Sequence, residues 1–269
     1  MFVSFGPDDS VLHSKAFMQE EAEYNLIHLI AGNKEALRIK TPEDDLIFAH
    51  AAGFNPWLWI SAEMDAGKRN SLVQQLLENL PDREFPGVTG TPETGRLFAE
   101  AYSRRTGKQA RVHMLMEAYH CPQVQHPHNV SGRLVQADES YIPVIAEYLA
   151  RFVEDVFGTE SAPENFLGHA KEVTDSGKLR LWIDQGRAVS MANLAHQSFR
   201  HGRINEVFTL HEFRKQGYAS AVVAELCAEL LNSGLTPMLY ADAANPDSNK
   251  VYQSIGFKRT GSIADLRFQ

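Results

Sequence analysis

Val207-Phe208-Thr209-Leu210-His211-Glu212-Phe213-Arg214-Lys215-Gln216-Gly217-Tyr218-Ala219-Ser220 is the stretch that decides the fold. An apolar strand runs into a short turn, and the turn opens directly into a helix. Val222, Val223, Leu226, Leu230 and Leu231 form one apolar stripe along that helix, so it packs on a sheet. Asn232-Ser233-Gly234 ends it. The first amides of a helix have no internal acceptor, and its dipole favours negative charge there. Gly217 lets the backbone approach an anion, Ala219 leaves the next turn unobstructed, and Arg214 and Lys215 add countercharge. These residues make a pyrophosphate cradle.

A second element follows the next strand: Asn245-Pro246-Asp247-Ser248-Asn249-Lys250-Val251-Tyr252-Gln253-Ser254-Ile255-Gly256-Phe257. Asn245 is placed to cap, Pro246 suits the first helical position and Gly256 ends the helix. Val251 and Ile255 are expected to face the core at i and i+4, with Tyr252 on a neighbouring face.

Arg214-Lys215-Gln216-Gly217-Tyr218-Ala219 resembles the Arg/Gln-x-x-Gly-x-Gly/Ala signature of the GNAT acetyltransferases, and the second element resembles the Asn-Pro-x-Ser-x-x-x-Tyr-x-x-x-Gly-Phe run that closes their sites. The resemblance covers about residues 132–269. It implies acetyl-coenzyme A as co-substrate, an amine as acceptor, and direct attack in a ternary complex. By that resemblance the backbone of Val207-Phe208-Thr209 pairs with the pantetheine arm, and Arg214 to Ser220 hold the pyrophosphate. Asn245, Ser248 and Asn249 lie against the coenzyme, a plain capping role for Asn245 standing beside this. Tyr252 is implied as the general acid at the departing thiolate, against the alternative of a packed surface tyrosine. Glu206 is a candidate general base, with Asn193 or His196 on the opposite lip; a solvated glutamate is the competing reading. The sequence departs from the family at Leu210-His211, where a proline often follows the strand.

The rest of the chain sets the frame. Its 269 residues suit two domains at roughly 100–200 residues each. Hydrophobic residues make up 43%, enough to fill a sizeable core. Lys and Arg number 26 against 34 Asp and Glu, a net charge of -8 that disfavours a nucleic-acid binder. Two cysteines, Cys121 and Cys227, show no disulfide framework and fit a reducing cytosol; Cys227 on the helix stripe reads as an inert packed thiol. The N-terminus is no secretory signal and no apolar run is long enough to span a membrane, so a cytoplasmic protein is expected, monomeric or homodimeric.

The prolines and polar residues of His120–Asn129 read as a linker, with the boundary near 125. Residues 126–269 are expected to form a GNAT domain with a mixed, mostly antiparallel sheet flanked by helices. Residues 1–125 are expected to be α/β, with helices at 20–31, 65–79 and 91–105 and strands at 46–50, 57–60 and 110–116. The Phe85–Gly90 run, the next helix and the strand at Ala110–Met116 suggest a degenerate GNAT-like companion without the cradle motif. Gly90–Leu97 has phosphate-loop glycine spacing, but Arg96-Leu97 stands where Lys and Ser/Thr are required, so a capping turn is expected. His120, Cys121, His126 and His128 match no zinc spacing, and no metal is expected. Trp57 and Trp59 read as core anchors. The rival functional readings are a GNAT-like module that senses acyl-coenzyme A without turnover, and a regulatory GNAT-like module that keeps the fold without any ligand.

Overall fold

The computed structural model describes residues 2–269. The elements run β1 (Val3–Ser4), α1 (Lys15–Gln19), α2 (Leu26–Gly32), β2 (Leu37–Lys40), β3 (Leu46–His50), β4 (Trp57–Ile60), α3 (Ala66–Asn79), β5 (Gly87–Gly90), α4 (Pro92–Thr106) and β6 (Ala110–His120). The same order then repeats: β7 (Arg133–Gln136), α5 (Ile142–Phe157), α6 (Leu167–Asp175), β8 (Leu179–Asp184), β9 (Arg187–Gln197), β10 (His201–Thr209), α7 (Tyr218–Asn232), β11 (Thr236–Asp242), α8 (Pro246–Ser254) and β12 (Lys258–Phe268). Each series is a strand, two helices, an antiparallel three-strand meander, a helix, a strand, a helix and a strand. In each, the third meander strand pairs in parallel with the strand beyond its crossover helix, β4 with β5 and β10 with β11.

The compact units do not follow a single cut. One holds Met1–Tyr119, Tyr240–Pro246 and Arg259–Gln269; the other holds His120–Leu239 and Asp247–Lys258. The sequence boundary near 125 leaves β12 in the C-terminal half, whereas Ala264 to Arg267 of β12 pair with Gly90 to Gly87 of β5. No local pattern in β12 names that distant partner.

In the first unit the strands run β1-β2-β3-β4-β5-β12-β6. Both faces of this sheet are covered, and β3 is buried at every position as a consequence. Leu46 and Phe48 pack with Leu58, Val73, Leu76, Phe98 and Tyr102 under α3 and α4. Ile47 and Ala49 face the other way onto Phe17, Tyr24, Ile27, Trp57 and Trp59 under α1 and α2. Each such aliphatic or aromatic side chain stabilises the unit by about 1.5–3 kcal/mol. The two tryptophans are core anchors as expected, and Trp59 Nε1 donates to Glu20 at 2.9 Å. That bond helps explain why the single helix expected over 20–31 is broken between α1 and α2. Glu20 turns towards Trp59, and the Tyr24 hydroxyl accepts the Thr91 amide at 2.9 Å, so tertiary bonds override local propensity. Thr91 caps α4 through the Thr94 amide, the capping turn read from the sequence.

In the second unit the order is β11-β10-β9-β8-β7. Ile145, Tyr148, Leu149 and Ala170 of α5 and α6 pack on Leu179, Leu181, Met191 and Phe208. Helix α7 buries Ala221, Val222, Val223, Leu226, Cys227 and Leu230. No helix among the described residues is long and apolar enough to cross a membrane.

Candidate active site

Strand β10 opens a wedge in the second unit. It pairs in parallel with β11 only from His201↔Thr236 to Arg203↔Met238. Beyond Arg203 its edge has no registered partner on that side among the described residues. On its other edge β10 follows β9 through Asn205↔Asn193 and resumes at Phe208↔Met191, so Glu206 and Val207 together face Ala192. This bulge sharpens the local twist and bends the strand. Glu206 sits at φ 49, a left-handed conformation that costs a non-glycine residue about 1–3 kcal/mol. The backbone of Val207 to Thr209 therefore lies on an edge that β11 leaves unregistered among the described residues. Phe208 itself packs in the core under α5, and the Thr209 hydroxyl lies 2.8 Å from Ser190 Oγ, so these two contribute backbone, not side chains.

The edge leads into the cradle. Lys215 (φ 62) and Gly217 (φ 87) curl the loop to the start of α7. A Cβ on Gly217 would meet Val130 Cγ2 at 2.8 Å, so both conformation and space call for glycine. Gly217 is the N-cap, no side chain caps this helix, and the first helical amide to find Gly217 O is that of Ala221 at 2.9 Å. The amides of Tyr218, Ala219 and Ser220 thus lack helical acceptors and face outward with the positive end of a 15-residue dipole. The side chains divide the work. Tyr218 is buried and its hydroxyl donates to Asp184 at 2.9 Å, pinning the helix start to β8. Arg214 is engaged by Asp155 and donates from Nε to Thr209 O at 3.1 Å, so it braces the loop as well as charging it. Gln216 donates to Glu212 O at 3.2 Å, and Lys215 is exposed.

Helix α8 carries the second element. Asn245 precedes Pro246, and its amide donates to Asp242 O at 3.0 Å. Tyr252, not Val251, takes the inward position, edge-on to Phe257 at 5.8 Å between ring centroids. Burial pushes the Tyr252 phenol up to about 12, while a hydrogen bond with Ser248 pulls the other way. The phenol is therefore held protonated, the form an acid needs.

Glu206 is not a solvated surface residue. Its side chain is 13% exposed, Oε1 accepts from His169 Nε2 at 2.9 Å, and Oε2 is buried without a hydrogen-bond partner among the described residues. His169, on α6, carried no signal in the sequence, because 37 residues separate it from Glu206. Asn193 stands opposite Asn205 and donates to its Oδ1 at 3.0 Å. His196 accepts from Arg203 Nε at 3.2 Å, three positions further along β9. Cys227 is buried, and its burial together with the nearby Cys121 holds its thiol well above the ordinary range.

Comparison with known proteins fits this geometry. Residues 183–264 match the family model described as FR47-like protein, a span that contains the bulge, the cradle and α8. The fold is similar to an acetyltransferase from the GNAT family of Colwellia psychrerythraea, with TM-score 0.59, 12% identity and all of both chains covered. The chain has the GNAT fold. A GCN5-related N-acetyltransferase from Sphaerobacter thermophilus gives TM-score 0.57 at 14% identity over 100% of this chain and 95% of that one. A tandem GNAT protein from the clavulanic acid biosynthesis pathway gives 0.52 at 12% over 100% and 98%. No curated protein matches the chain.

The same element order occurs twice along the chain, but the helix after the meander begins differently in the two copies. In the first copy the loop from β4 to α3 is Ser61-Ala62-Glu63-Met64-Asp65, with two carboxylates and no cation. Asp65 caps α3 by accepting the Lys68 amide at 3.0 Å. A carboxylate of the chain itself occupies the place where an anion would otherwise be held.

Proposed function

We propose that this protein is an N-acetyltransferase that moves the acetyl group of acetyl-coenzyme A to a primary amine of a small molecule or peptide. The observation that carries this reading is the open edge of β10 leading, through the loop 210–217, into the uncapped start of α7. The edge suits an extended amide-bearing arm, and the helix start suits a pyrophosphate. Acetyl-coenzyme A supplies the acetyl group as a thioester, already activated for transfer. Val207, Phe208 and Thr209 hold its arm by backbone. Arg214, Lys215, Gln216, Gly217, Tyr218, Ala219 and Ser220 hold its phosphates, with Asn245, Ser248 and Asn249 on the facing side.

The protons balance between two residues. Glu206 Oε2 takes one proton from the incoming ammonium, which frees the nitrogen lone pair. The carbon–nitrogen bond forms as the carbon–sulfur bond breaks, and the Tyr252 hydroxyl gives its proton to the sulfur. The proton leaving the new amide returns to the tyrosinate through solvent. Attack is direct, since Cys227 is buried and its thiol is held in the unreactive form. Both thiols being free, we place the protein in the reducing cytoplasm. The functional half is residues 126–269, with residues 1–125 a degenerate GNAT-like companion.

Calorimetry with acetyl-coenzyme A, followed by a thiol-release assay over an amine library, tests the reading. Binding with release is expected. Binding without release from any amine would favour an acyl-coenzyme A sensor, and no binding at near-millimolar ligand would remove both.

A further inference from the structure

Asn193, Asn205, Glu206 and His169 gather on the face of the second unit's sheet that α5 and α6 cover. Met191 and Phe208 are cross-strand partners in the core on this face. Asn193 lies two residues from Met191 and pairs with Asn205, so alternation puts both amides on the same side. Glu206 joins them through His169 of α6. The cluster is polar where its neighbours are apolar, and it lacks donors. Asn193 is 5% exposed, and its Oδ1 has no hydrogen-bond partner among the described residues. Glu206 Oε2 is in the same condition. An ionised carboxylate only accepts, so His169 Nε2 is the donor to Oε1, while Nδ1 of that ring lies 3.7 Å from Glu172 Oε2.

Two buried acceptor oxygens, one of them charged, are costly until donors meet them. An alkylammonium ion brings three N–H donors and a matching charge. An alcohol brings one donor, and an arylamine two without charge. We infer that His169 is the positioning residue of this site, tying down Glu206 Oε1 and turning Oε2 to the incoming amine, with Asn193 Oδ1 as a second acceptor for its N–H groups. This rests on the acetyltransferase reading.

The test is thiol release by the full chain with acetyl-coenzyme A and a panel of primary alkylamines. No release from any of them removes the acetyltransferase reading and this inference together. With the best alkylamine, His169→Ala should lower kcat/KM for the amine about tenfold, mostly through KM. Affinity for coenzyme A should stay within about twofold. His169→Gln, whose amide still donates to Oε1, should recover most of the loss. Asn193→Ala should raise the amine KM in the same way. An unaffected His169→Ala, a His169→Gln as impaired as His169→Ala, or an equal loss of coenzyme affinity each overturns the positioning role.

Discussion

Tyr252 and Gly217 show how one residue can be read twice, once as chemistry and once as backbone. If Tyr252 is the acid, Tyr252→Phe should lower kcat by about a hundredfold or more, the usual scale for a lost proton donor. Coenzyme affinity, measured by calorimetry, should change far less. Because burial raises the phenol from 10.0 to about 12, its contribution to folding is full below pH 10 and is lost as pH rises through about 12. The kcat profile should accordingly show no alkaline fall from this group below about pH 11, a point stopped-flow rates can check. Gly217→Ala places a methyl against Val130 at a left-handed φ. It should destabilise the protein by about 1–3 kcal/mol in urea melts and weaken coenzyme binding about tenfold. Both residues were legible because a glycine opening a helix and a tyrosine in a spaced motif are local features. Glu206 at φ 49 was not, since glutamate gives no pattern for a left-handed bulge.

At the scale of elements, α7 and α3 occupy equivalent places in the two GNAT copies and differ in what meets their first amides. At α7 no capping side chain among the described residues does, and at α3 Asp65 does. Calorimetry should therefore find one coenzyme bound per chain. Asp65→Ala should cost about 1 kcal/mol of stability and should still not create a second site, because the Arg69 guanidinium beside that loop is already engaged by Ala62 O, Met64 O and Glu93. A second equivalent of coenzyme bound by either protein would refute this account. The stripe of α7, the capping turn of α4 and the strand around Trp57 could be read from local pattern. The short β1, β2, β7 and α6 could not, being too brief to show a period. The wedge beside β10 was implied only by resemblance, because it depends on where pairing with β11 stops.

For the molecule as a whole, the linker of 120–129 reads as a division that the strands do not respect. Ile263, Ala264 and Leu266 of β12 belong to the cores of the first unit, and β12 pairs with β5. Fragments 1–125 and 126–269 expressed apart should fail to give cooperative thermal transitions by circular dichroism. The first lacks a strand, and the second carries an unpaired apolar one prone to aggregate. Mixing the two fragments after co-expression should restore a transition. Two separate, sharp melts from the isolated fragments would show that β12 is dispensable to the first unit.

The position of β12 also imposes a timetable on synthesis. A ribosome finishes β5 long before it reaches Lys258, and at 5–20 residues per second the interval is on the order of ten to thirty seconds. Throughout that wait the edge of β5 formed by Gly87–Gly90 lacks its second neighbour while the following GNAT copy is still emerging. Folding of the N-terminal unit thus waits on β12, and the nascent protein spends that interval with an edge that a chaperone or a neighbouring nascent chain could occupy.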